Sequence, residues 1–338
     1  MTNGLSGPRK QFLDVLRVLA TCAVVLMHVL TGATDVTDAS IVPEYRSLLL
    51  SVMDLVTWCV PIFLLISGYL FLNPERTLTY PVMIKKYCRR IALAILLFGV
   101  PYAASELVVA ERTFRIMMIP EALKMTLTGH TWSHMWYLYL ILFLYLITPL
   151  LKKVLRVLPV WGVAAVMAVI FLGSSVAPFL NKVLDINSIP VLPDGGVYFL
   201  YYLCGYLFAV REVCVDKGRN VWLTAAVAVL ALGMILSRTL AGFSIQMAYN
   251  YPFTVLLSVL LFAAGRNGGG RAADISTTGE ELERLKHRIP WQEAGALSFA
   301  VYLVHPVYVN LLYKFVKITP FTVLEQCGVQ SVAAGQVV

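Results

Sequence analysis

Long apolar runs divide the chain, and short polar clusters punctuate them. Runs of membrane-spanning length fall at about 11–32, 48–72, 88–110, 134–151, 160–180, 196–211, 221–241, 249–265 and 294–316. A helix needs roughly 20 such residues to cross the hydrocarbon core. A weaker tenth run, 319–338, is diluted by Glu325, Gln326, Gln330 and Gln336. The pattern predicts an all-α, polytopic membrane bundle of about ten helices, one domain over 1–338. The thin end after 318 is expected of a short terminus, or of a module that lacks a C-terminal partner domain. No internal repeat of the kind many transporters carry is visible.

Composition sharpens this picture. Of 338 residues, 59% are apolar and only 14% charged, against about 25% charged in soluble domains. The +8 charge is accounted for by topology. With the N-terminus in the cytoplasm, basic residues crowd the inner loops: Arg9 and Lys10, Arg76 with 85–90, 152–156, 211–219 and 266–288. Eighteen fall inside and eight outside, the asymmetry of a multi-pass protein of the plasma (inner) membrane with a cytoplasmic N-terminus. Membrane lipids are then the surroundings, and nucleic acid is excluded as a partner. The six cysteines show neither a C-x2-C pair nor a disulfide framework, and no metal is expected. The "RNGGGR" segment in the loop 266–293 lacks G-K-[ST] and reads as a flexible connector.

The first run, "QFLDVLRVLATCAVVLMHVL", breaks its own apolar rule with Asp14, Arg17, Thr21 and His28. Arg17 and His28 stand eleven residues apart, three turns plus about 20°, so they share one face about 16 Å apart along the axis. Polar residues in a membrane face protein or water rather than lipid. Asp14 reads as an i,i+3 partner of Arg17. Arg17 at the cytoplasmic end suits an anionic donor, and His28 deep in the outer half suits a general base.

The Arg-x10-His spacing in this run resembles that of the membrane acyltransferase 3 family. Three further stretches are similar in order: "VPIFLLISGYLF" (60–71) with Ser67–Gly68, "HMWYLYLILFLYLITPLL" (134–151), and "ALSFAVYLVHPVYV" (296–309). The resemblance implies a ten-helix bundle that takes an acyl group, usually acetyl, from cytoplasmic acyl-CoA as donor substrate. The acceptor it implies is a hydroxyl of a cell-envelope carbohydrate or lipid-linked glycan. It implies His28 as the catalytic histidine, which would deprotonate the acceptor hydroxyl or carry the acyl group itself, and Arg17 as a donor-binding partner. It also implies that Lys85, Lys86, Arg89 and Arg90 of "KKYCRR" help hold the coenzyme; their other role is to set topology and meet anionic headgroups.

The remaining residues keep two readings each. His130 and His134 are spaced for zinc on a helix, but lack the H-E-x-x-H glutamate and a third ligand, so a structural or acceptor-contact role is favoured. Trp132 and Trp136 are interface anchors or sugar-stacking rings. His305 either re-satisfies the carbonyl freed by Pro306 or contacts substrate. Ser67 is not in a nucleophile elbow and reads as close helix packing, with substrate contact as the alternative. The rival function is a transporter that uses the same polar path without chemistry.

Overall fold

The computed structural model describes residues 11–36, 43–210, 217–240, 248–274 and 290–316. Every regular element among them is helical: α1 (Gln11–Val36), α2 (Pro43–Val56), α3 (Cys59–Phe71), α4 (Tyr80–Glu111), α5 (Met118–Leu127), α6 (Ser133–Val157), α7 (Val160–Val183), α8 (Gly196–Val210), α9 (Lys217–Leu240), α10 (Pro252–Asp274) and α11 (Trp291–Leu311). Among the described residues, six spans are long and apolar enough to cross a membrane: Gln11–Gly32, Leu49–Phe71 (the end of α2 with α3), α4, α6, α7 and α11. Gly196–Val210, Trp222–Ile235 and Pro252–Arg266 are shorter apolar stretches. Together they match the nine stronger sequence runs. The tenth run lies outside the described residues, as do Arg9, Lys10 and much of the 266–293 loop.

The centre is built from helices that are apolar all round, as full burial demands. In α3, Ile62, Leu64, Leu65, Gly68 and Tyr69 are all buried. It packs along α8, whose Tyr201 and Tyr202 are fully enclosed. Two glycines set the closeness of that crossing. A Cβ on Gly68 would sit 2.0 Å from the Tyr202 carbonyl oxygen, and one on Gly205 would sit 2.3 Å from the Leu65 carbonyl oxygen. Small residues that let backbones touch are how helices associate where lipid removes the hydrophobic drive. Helix α1 packs against α2, α3, α10 and α11, so its polar stripe is enclosed on several sides.

The periphery is greasy outward. Leu97, Val109, Trp161 and Val169 are exposed on α4 and α7, the faces a bilayer would cover. The amphipathic α5 buries Met118, Ala122 and Thr126 against α4 and leaves Ile119, Leu123 and Leu127 outside.

The Gly68–Gly205 crossing leaves no slack for a methyl group, whereas Gly233 in α9 has nothing within 4 Å of its would-be Cβ. Gly68→Ala and Gly205→Ala should each cost about 1–3 kcal/mol or more by overpacking. Thermal unfolding in detergent should show both midpoints falling while that of Gly233→Ala does not. Equal midpoints for all three would refute the close-approach argument.

Candidate active site

The site begins at one end of the bundle, where α1, α4 and α11 start and α3 stops. Asp14 is buried at 2% exposure and accepts a 2.9 Å hydrogen bond from Arg17, whose side chain is 27% exposed. The ion pair is seated against α11: a Cβ on Gly295 would lie 2.9 Å from the Asp14 carboxylate. Thr21 donates to the Arg17 carbonyl, one turn back. Arg17 faces a cavity of about 1280 Å³ that Arg76, Lys86 and Arg90 also line.

These cations are held differently. Arg76 donates to the Leu70 carbonyl (3.2 Å) and the Tyr87 hydroxyl (2.6 Å), with its guanidinium 5.1 Å from the Phe71 ring centroid. The turn carrying it is tied down by buried Lys152, which donates to the Asn73 carbonyl. Arg90 lies over Phe299 at 5.1 Å. The "KKYCRR" cluster begins in a π-helical turn, Met83–Cys88, a local widening often found at functional sites. Lys86 and Arg90 reach the cavity, while Lys85 and Arg89 line a separate recess beside Pro81 and Val82, which Lys86 also borders.

Deeper in, the wall turns aromatic. Tyr137, Tyr145 and Tyr302 line the cavity together with Ser67. Tyr302 lies 5.8 Å from Tyr137 ring to ring, and its hydroxyl donates to the His134 carbonyl. Behind Tyr302 stand three histidines from three helices. His28 of α1 is 4.9 Å from His305 of α11 and 6.3 Å from His134 at the start of α6. His134 and His305 are 5.7 Å apart, all measured between ring centroids. Both are 4% exposed, and the Nε2 atom of each is buried without a hydrogen-bond partner among the described residues. His305 points its Nδ1 at the carbonyls of Tyr302 (2.8 Å) and Val301 (3.2 Å).

The other sequence candidates are dispersed. His130 is exposed and bonds Thr128, so it shares neither a helical face nor a site with His134. Among the described residues, no group of three or more His, Cys, Asp or Glu is arranged to hold a metal ion. Trp132 stacks on Tyr102 at 4.3 Å with rings nearly parallel. Trp136 packs against Tyr198 (5.3 Å) and Tyr249 (5.6 Å), and the Tyr249 hydroxyl meets the Met27 sulfur. That aromatic group therefore adjoins the residue before His28.

Compared with known families, residues 10–332 match the Acyltransferase domain of the acyltransferase 3 type. The chain belongs to this family. No curated protein and no solved structure gives a significant match. Membership makes the chain a membrane acyltransferase, with the cavity and the histidine cluster as its candidate active site. Sequence reading of this acyltransferase had counted Arg76 only as an inner-loop charge, and Tyr302 only as part of a motif. The "SFAVYLVHP" pattern contained the signal for Tyr302, three residues before His305. Nothing local marks Arg76.

Tyr302 borders both the cavity and the cluster. Tyr302→Ala should therefore speed carbethoxylation of His134 and His305 by diethylpyrocarbonate, read by mass spectrometry, while exposed His130 keeps its rate. Unchanged rates at all three would mean that Tyr302 is not the barrier.

Proposed function

We propose that this acyltransferase moves an acyl group, acetyl in the simplest case, from cytoplasmic acyl-CoA to a hydroxyl of an envelope sugar or lipid-linked glycan. The observation that carries the reading is the single cavity. At one end it gathers Arg17, Arg76, Lys86 and Arg90; at the other it stops at Tyr302, which backs onto His28, His134 and His305. Its volume exceeds the roughly 300–1,000 Å³ usual for a drug-sized ligand, in keeping with a large donor that has a charged head and a long arm. Arginine suits phosphate because its planar fork donates two parallel bonds. The bias of basic residues toward one set of loops supports a cytoplasmic charged mouth with His28 toward the far side.

In this scheme Arg17, Arg76, Lys86 and Arg90 neutralise the coenzyme phosphates, and Lys85 and Arg89 extend the positive field at the entrance. The thioester lies past the tyrosines. His28 takes the proton of the acceptor hydroxyl as that oxygen attacks the thioester carbonyl, and then returns it to the departing thiolate. Trp136 with Tyr198 and Tyr249 offers an aromatic flank on which an acceptor ring can stack. Ser67 lines the wall beside Tyr137 and Tyr145 and is not a nucleophile.

The test is acetyl-CoA binding and CoA release by the purified protein in detergent. Arg17→Ala and Arg76→Ala should each weaken binding by about 1.5–3 kcal/mol, the worth of a hydrogen bond to a charged group, or roughly ten- to a hundredfold in Kd. His28→Ala should bind as wild type does and release CoA about 10²- to 10⁴-fold more slowly, the range for a lost general base. If wild type binds no acyl-CoA, the donor assignment is wrong.

A further inference from the structure

The break in α11 determines what His305 can do. Pro306 has no N–H, so the Tyr302 carbonyl four residues earlier loses its helical donor. His305 supplies the replacement from Nδ1, at 2.8 Å. A carbonyl oxygen only accepts, so Nδ1 must carry the hydrogen. In the neutral ring Nε2 is then a bare acceptor. The backbone repair thus selects the tautomer, and it leaves a lone pair that is buried and unpartnered in the protein. Leaving a buried acceptor unsatisfied is costly, so a donor there is worth forming.

The nearest ring is His28. Among the described residues it has no hydrogen-bond partner that would fix which of its nitrogens is protonated, yet a base needs that choice made. Two imidazoles joined by an N–H···N bond of about 2.9–3.0 Å have centroids about 5 Å apart, and these two stand at 4.9 Å. A modest turn of the half-buried His28 ring completes the bond. His134 also has a bare Nε2, but its ring is 6.3 Å from His28.

We propose that His305 is the positioning residue for His28: its Nε2, held in the acceptor role by the break at Pro306, takes the His28 N–H and leaves the other His28 nitrogen bare toward the acceptor hydroxyl. This rests on the reading of His28 as the base. The group that orients a base ordinarily accepts the hydrogen of its far nitrogen, and here a neutral imidazole fills that place. In the transfer step the acceptor oxygen bonds the acyl carbon, and its proton goes to the bare nitrogen of His28. The carbon–sulfur bond breaks with its electron pair on sulfur, and the thiolate recovers that proton from His28. The His28 N–H toward His305 stays in place, and the His28–His305 bond is strongest while His28 is a cation.

Two variants separate positioning from backbone repair. His305→Leu and His305→Gln both remove the imidazole donor to the Tyr302 carbonyl, but only glutamine returns an acceptor oxygen near the Nε2 position. With acetyl-CoA as donor, His305→Leu should release CoA at least 100-fold more slowly than wild type with unchanged coenzyme binding. His305→Gln should stay within tenfold of wild type. Equal activity of the two variants, whether high or low, overturns the proposal. A readout independent of turnover is ¹⁵N NMR of the imidazoles, tractable with five histidines in the chain. It should find His305 protonated at Nδ1 only, and His28 in one tautomer that becomes a mixture in His305→Leu. A proton on His305 Nε2, or a His28 spectrum indifferent to His305, overturns it as well. If wild type neither binds nor cleaves acetyl-CoA, the donor assignment fails, and the NMR result still decides the pairing.

Discussion

Polar groups on a membrane helix have to be turned away from lipid, and the bundle is arranged around that demand on α1. Its Asp14–Arg17 pair is seated on α11 through the bare backbone of Gly295, and its His28 is flanked by rings from α6 and α11. Neither arrangement is available to α1 alone. The costs of several kcal/mol that a lone arginine or histidine would bear in hydrocarbon are met by partners from distant parts of the chain. Those same partners are the walls of the site, so stability and chemistry draw on one set of contacts.

The aromatic barrier divides the interior by chemistry. On one side lie cations able to hold phosphate; on the other lie imidazoles packed among tyrosines. An acyl-transfer enzyme benefits from that division, because water near a thioester competes with the acceptor for the acyl group. Tyr302 serves both compartments: its ring lines the cavity, and its hydroxyl ties α11 to the chain entering α6.

The spans and the α1 stripe were legible in the sequence because they depend on local spacing. Nine apolar runs became helices or apolar helical stretches, and the i,i+3 relation of Asp14 to Arg17 became an ion pair. What spacing could not show was convergence. His28, His134 and His305 meet only because α1, α6 and α11 do, and no pattern within any one of them announces it. The basic cluster at 85–90 was read as one unit, yet the π-helical turn sends Lys86 and Arg90 into the cavity and Lys85 and Arg89 elsewhere. Arg76 was missed because it joins the site through a turn tied to Lys152, 76 positions later in the chain. Of the two readings of His305, backbone repair is what Nδ1 does, while Nε2 is buried without a hydrogen-bond partner among the described residues.

The pivot at Gly295 gives α1 the mechanics of a lever. Arg17 sits near the fulcrum and His28 about 16 Å further along the same rod. A tilt of about 5° there carries the imidazole roughly 1.4 Å sideways over that length. Displacements of about 1 Å can change a rate a hundredfold. A rigid α1 would pass such a tilt from one end to the other, and the absence of a single methyl group at position 295 is what lets it lie flush against α11.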